Sequence, residues 1–277
     1  MRVLVLLIVL AGSVAASPGA AHADEASSHY HKALVHKRQG NLDRAIASLK
    51  QALALRDDYA AAHHSIGMLY RKRGKVDKAL EHLREAARLE SGSAEIHYSL
   101  ALAWLAGKRV EQAIAAMRRA AELKPKDPEI QAGLGSLLIR KDPKQATVYL
   151  LKAVKAMPDD HQIVQQLGLA YRKAKNFKLA EKYLLRSAAI KETATTEFNL
   201  GVLYRRMEKP QKAVAHYEAA LQLNPKMAAA HWDVAHMYTQ LKRDEDAIRS
   251  YRAYLALKGK SRAAAIARKR IKELQKK

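Results

Sequence analysis

Small residues recur along this chain at a nearly fixed interval. They stand at Ala33, Gly67, Ala101, Gly135, Gly168, Gly201 and Ala235, spaced 34, 34, 34, 33, 33 and 34 residues apart. Alanines follow in step at Ala45, Ala79, Ala113, Ala146, Ala180, Ala213 and Ala247, twelve residues on except in the fourth copy, where the step is eleven. Self-similarity at this period marks a helical solenoid, whose units are each too small to bury an apolar face alone and must stack. A chain of this kind presents surface, and chemistry has to come from elsewhere.

Each copy reads as a pair of helices. In the second, Ile66, Gly67 and Tyr70 share one helix face. Arg71-Lys72-Arg73-Gly74 closes that helix with cations at its carbonyl end and a glycine at the stop. A second helix carries Ala79, Leu80, Leu83, Ala86 and Ala87. Gly67 and Ala79 are small because the two helices approach closest there, and a bulkier side chain would cost roughly 1–3 kcal/mol. The third copy holds Leu100, Ala101, Trp104, Ala113, Met117, Ala120 and Pro125; the fifth Leu167, Gly168, Tyr171, Ala180 and Leu184. The sixth holds Leu200, Gly201, Tyr204, Ala213, Tyr217, Ala220 and Pro225; the seventh Val234, Ala235, Tyr238, Ala247, Tyr251 and Tyr254. The fourth opens with Asp127 as N-cap before Pro128, and its Asp142-Pro143 turn is one residue short. The first is the weakest, with Ala33 and His36 and then Ala45, Leu49 and Ala52.

An apolar residue before a small one, then an aromatic, then alanine, aromatic or leucine, alanine and proline resembles the tetratricopeptide repeat, a 34-residue helix-turn-helix. The resemblance covers residues 26–259; the closing proline survives only as Pro125, Pro158 and Pro225. It implies an all-α fold, a right-handed solenoid of seven stacked helix pairs, with a basic capping helix in residues 260–277. Ser261 caps that helix, expected from Arg262 to about Gln275, and Ala264, Ala267, Ile271 and Leu274 form its narrow apolar stripe. The segment is basic enough to touch an anionic membrane, but its mostly alanine face without Trp or Phe favours a solvated cap.

Composition agrees with helix: apolar residues make up 49% of the 277, aromatics only 6%, and there are 12 Gly and 7 Pro. With no cysteine, disulfides and thiolate metal sites are excluded. The net charge of +23 draws anionic partners. Residues 1–23 read as a secretory signal peptide: Arg2, the apolar run Val3 to Ala11, and the cleavage site Ala21-His22-Ala23 before Asp24. The run is too short for a comfortable membrane span, and no other segment approaches that length. The expected location is therefore exported, periplasmic or secreted, in a bacterium. Export disfavours nucleic acid as a partner and favours exported proteins and envelope polymers.

The resemblance implies that the first helix of each pair lines a concave face. One register there runs Tyr30, His64, Tyr98, Ala132, Gln165, Phe198 and Trp232, joined one turn on by Leu34, Met68, Leu102, Ser136, Leu169, Val202 and His236. Beside it runs a basic ladder of Lys37, Arg38, Arg71, Lys72, Arg140, Arg172, Lys173, Arg205 and Arg206, broken at Leu105-Ala106 and ended at Thr239-Gln240. These registers suit proteins or peptides with apolar anchors and acidic groups. The bland reading is that the cations close helices and keep the groove soluble. Some family members grip a terminal carboxylate with Lys and Asn; the positions here are Tyr30, Leu34, His64 and Met68, so that clamp is not expected.

His29, His63, His97 and His231 form a ladder that could suggest metal, but repeat spacing puts equivalent atoms far beyond the roughly 2 Å of His–Zn coordination. Asp57-Asp58 and Asp159-Asp160 sit in inter-repeat turns, where Asp caps the next helix. The chain lacks G-x-S-x-G, H-E-x-x-H, a P-loop and a dinucleotide fingerprint, so no enzyme activity and no cofactor is expected. The expected function is an exported interaction scaffold. The alternatives are a polyanion-binding envelope protein, for peptidoglycan, acidic polysaccharide or anionic lipid, and a non-catalytic subunit of an envelope complex.

Overall fold

The computed structural model describes residues 18–276, and among them every regular element is a helix. Up to Leu123 the helices are α1 (Pro18–Arg38), α2 (Leu42–Leu55), α3 (Ala60–Lys72), α4 (Val76–Leu89), α5 (Ala94–Ala106) and α6 (Val110–Leu123). From Lys124 they are α7 (Pro128–Leu138), α8 (Pro143–Ala156), α9 (His161–Lys173), α10 (Phe177–Ile190), α11 (Ala194–Arg206), α12 (Pro210–Leu223), α13 (Ala228–Gln240), α14 (Asp244–Lys258) and α15 (Arg262–Leu274). The two sets form separate compact units. Odd- and even-numbered helices pair in sequence, which gives the seven expected pairs, and α15 packs on α14. The signal sequence's apolar run, Val3 to Ala11, lies outside the described residues. α1 passes unbroken through Ala21-His22-Ala23 and through the expected repeat start at residue 26.

The recurrent small residues mark where paired helices meet. A Cβ on Gly67 would stand 2.7 Å from Leu83 Cγ and 3.1 Å from the Ala79 carbonyl oxygen. Facing the seven small residues is a second column: Leu49, Leu83, Met117, Leu150, Leu184, Tyr217 and Tyr251, each almost wholly buried. The first pair, faintest in sequence, packs like the rest, with Ala33, Ala45, Leu49 and Ala52 all buried.

The turn inside each pair has one solution, used six times. The residue after the C-cap adopts a left-handed conformation, at Gly40, Gly74, Lys108, Lys175, Glu208 and Lys242, with φ between 57° and 77°. Its N–H and the next one reach back into the last turn: Gly74 N to Arg71 O at 2.9 Å and Lys75 N to Tyr70 O at 2.9 Å. This satisfies carbonyls that a helix end leaves without partners. The fourth pair is the exception. Its shorter turn ends α7 at Leu138, and Asp142 caps α8 by accepting from Gln145 N at 2.9 Å.

Helix starts follow the sequence in part. Asp127 accepts from Glu129 N and Ile130 N, Asp160 from Gln162 N and Ile163 N, and Ser261 from Ala264 N. Asp57-Asp58 does not cap. Tyr59 holds the N-cap position of α3 without a side-chain bond, and Asp58 instead lies 3.8 Å from Arg56. All four stripe residues of α15 are buried. Among the described residues, no helix is long and apolar enough to cross a membrane.

Candidate functional site

Within each unit, first helices touch first helices: α3 with α5 in one, α7 with α9, α9 with α11 and α11 with α13 in the other. The registers expected to line the groove fall at these junctions, and several are bonded across them. Ser65 donates to the Tyr30 hydroxyl at 3.4 Å, and His64 Nε2 lies 2.8 Å from Ser99 Oγ. In the second unit Gln165 donates to Thr196 Oγ1 at 2.6 Å, and Ser136 donates to Gln166. Tyr30, His64, Tyr98, Phe198 and Trp232 are accordingly half-buried. Burial, helped by the Lys37 charge, holds the His64 imidazole below its ordinary pKa.

The basic ladder divides into two kinds of residue. Lys37, Arg38, Lys72, Arg140, Lys173 and Arg206 are exposed, while Arg71, Arg172 and Arg205 are half-buried. Arg205 is committed to Asp233, at 3.3 Å. Burial pushes the Asp233 carboxyl up, against the pull of Arg205. Arg71 and Arg172 each keep a buried Nε without a hydrogen-bond partner. Burial first, then the Arg206 charge, lowers the basicity of Arg172.

Two concavities of the second unit include residues of these registers. A cleft of about 210 Å³ is lined by Arg172, Lys173, Lys175, Phe177, Val202 and Arg206. A more apolar hollow of about 340 Å³ is formed by Ala228, Ala229, Trp232, Asp233, Tyr254, Lys258 and Ala263. Trp232 is held there by His236, Tyr251 and Tyr254, with ring centroids 4.8, 5.9 and 5.0 Å away. Phe198 leans on Tyr217 at 5.6 Å. The sequence reading placed Arg172, Lys173, Arg206 and Trp232 on this face. It missed Lys175 and Phe177, which belong to the turn and the start of α10, and Tyr254 and Ala263, which come from α14 and the cap.

The histidine ladder has a structural task. His63, His97 and His231 each bring Nε2 to the carbonyl six residues back, on Asp57, Ser91 and Pro225, at 3.0, 3.0 and 2.9 Å. Each ring thereby ties the start of one repeat to the turn leaving the previous one. In the fifth pair Val164 stands at this position, and Arg186 supplies the bond to the Pro158 carbonyl at 2.7 Å. His63 also meets His82 Nδ1 to Nδ1 at 3.1 Å. Since His63 donates from Nε2, its Nδ1 accepts in the neutral state and His82 is the donor. Among the described residues, no three His, Cys, Asp or Glu side chains converge in a metal-holding group.

Comparison with known proteins places these features in a family. Four models described as tetratricopeptide repeat match residues 24–89, 64–128, 161–193 and 194–227. Two curated relatives share short stretches. Anaphase-promoting complex subunit CDC16 of Saccharomyces cerevisiae is 24% identical over 47% of this chain, and protein O-mannosyl-transferase F38B6.6 of Caenorhabditis elegans is 29% identical over 28% of it. The chain spans only 16% and 12% of their lengths. Among solved structures, a tetratricopeptide repeat protein from Parabacteroides merdae superposes with a TM-score of 0.66 at 16% identity, over 91% of this chain and 99% of that one. YrrB, a repeat protein described as having an unusual peptide-binding site, gives 0.59 at 20% identity, over 66% of this chain and 95% of its own.

Proposed function

Since the chain belongs to the tetratricopeptide repeat family, we propose that it is a non-catalytic, exported protein–protein interaction scaffold that takes partner segments along the first-helix face. The observation that carries this reading is the composition of that face in the second unit. The first helices of the second unit carry exposed cations at Lys173 and Arg206 and half-buried rings at Phe198 and Trp232. An extended or helical segment with acidic groups and apolar anchors complements such a surface. The peptide-binding description of YrrB, a relative in fold, points the same way.

Export rests on residues 1–23, with their short basic start, apolar run and A-x-A site. Amino-terminal sequencing of the protein from the envelope fraction tests it. A first residue of Asp24 supports export, and an intact Met1 in the cytoplasmic fraction refutes it.

The scaffold reading is tested by charge reversal at Lys173→Glu and Arg206→Glu, which leaves the Arg205–Asp233 pair intact. Partner capture is lost while helicity by circular dichroism stays unchanged. Undiminished capture contradicts the reading. Salt separates it from the polyanion alternative, for which the total charge of +23 speaks. A polyanion binder loses affinity steeply with ionic strength, and a ligand held by apolar anchors loses less.

A further inference from the structure

The cleft in the second unit carries more positive charge than helix closure requires. Arg172, Lys173, Lys175 and Arg206 line it, and no acidic side chain is among its lining residues. Asp233, in the neighbouring hollow, is already engaged by Arg205. Arg172 is half-buried with its Nε shut off from water and unpartnered, a costly state for a charged donor. Phe177 and Val202 add apolar surface to the same lining.

From this arrangement we infer that the cleft between Arg172 and Arg206 is a binding site for a soluble phosphate monoester, whose oxygens face the guanidinium groups and whose organic substituent rests on Phe177. One carboxylate carries one charge and two oxygens. A phosphate monoester near neutral pH carries close to two charges and three strong acceptor oxygens, and so satisfies more of the four cations. Depressed basicity at Arg172, caused by burial and by Arg206, is the strain that a bound dianion relieves.

The chain contains its own control. Arg71 occupies the equivalent place in the first unit and has the same unpartnered Nε. The next pair there offers Leu105 and Ala106 where the second unit offers Arg205 and Arg206. The second guanidinium is therefore missing, and no dianion site is expected at Arg71. The site shares Lys173 and Arg206 with the scaffold reading but goes beyond it, and small-molecule titration lets the two fail separately.

Calorimetric titration of the full chain at low ionic strength with phenyl phosphate, inorganic phosphate and benzoate tests it. Phenyl phosphate binds tightest, at least about tenfold above benzoate, or 1.4 kcal/mol. Arg172→Gln and Arg206→Gln each lose about tenfold, and Arg71→Gln loses nothing. If Arg172→Gln unfolds, the exposed pair Lys173→Gln and Lys175→Gln reports instead. Equal affinity for benzoate overturns the phosphate assignment. Unchanged affinity in the cleft variants overturns the site. Binding to phosphatidic acid vesicles without binding to phenyl phosphate also overturns it, in favour of a lipid surface.

Discussion

Gly201 and Tyr217 meet so closely that a Cβ on the glycine would stand 2.5 Å from Tyr217 Cδ1. The ring is wholly buried, so it cannot swing aside without moving α11 from α12. Gly201→Ala therefore destabilises the sixth pair by about 1–3 kcal/mol, as overpacking does in a dense core. Urea unfolding followed by circular dichroism reads this as a lower midpoint.

The left-handed turn position separates glycine from other residues. Gly74 sits at φ 70° and Lys242 at φ 58°. Gly74→Ala loses about 1 kcal/mol, the cost of putting a Cβ there. Lys242→Gly gains up to about 1 kcal/mol by relieving the same strain, less the entropy of a freer unfolded chain. Opposite shifts in the unfolding midpoint are the expected signature.

Stability falls in mild acid. Burial holds His64, His82 and His236 below their ordinary 6.5; at His82 the neighbouring His63 adds to the effect. Lys50 and Lys78 lower His82 further, and Glu81 opposes them. The unfolded chain therefore binds more protons than the folded one just below pH 6.5, so stability is complete above that value and declines as pH falls through the folded pKa values. Unfolding measured between about pH 7.5 and 5.5 shows the decline, and His82→Gln makes it shallower. Asp233, raised by burial, acts in the opposite sense at lower pH, so the histidine slope is best read near neutrality.

The basic terminal helix acts as a lid on the last pair. Ile271 and Leu274 are buried, and each contributes about 1.5–3 kcal/mol by leaving water. Deleting residues 260–277 uncovers Tyr254 and lowers the unfolding midpoint. Vesicle flotation distinguishes this from a membrane role: the full chain's affinity for anionic vesicles is unaffected by Ile266→Asp, on the exposed side of α15.

Much of this architecture is legible in the sequence because period and packing are the same fact. A small residue every 33 or 34 positions marks a close approach, and the structure shows a buried partner behind each. Capping was legible only to within one residue. Asp160 directly precedes α9 and caps it; Asp58 is separated from α3 by Tyr59 and does not. The ladder's division was hidden altogether. Arg205 and Asp233 are 28 residues apart, and only stacking reveals that one arginine is already paired while Arg172 is not. Lys175 and Phe177 escaped because turn residues lie outside the helical period.

A photo-crosslinking residue placed at Lys173, in cells, tests the central claim most directly. The comparison is the same probe at Leu185, an exposed position on α10. The scaffold account predicts a discrete protein adduct from Lys173 that is absent from Leu185 and disappears with Arg206→Glu. Equal adducts from both positions, or only glycan and lipid from Lys173, would contradict it.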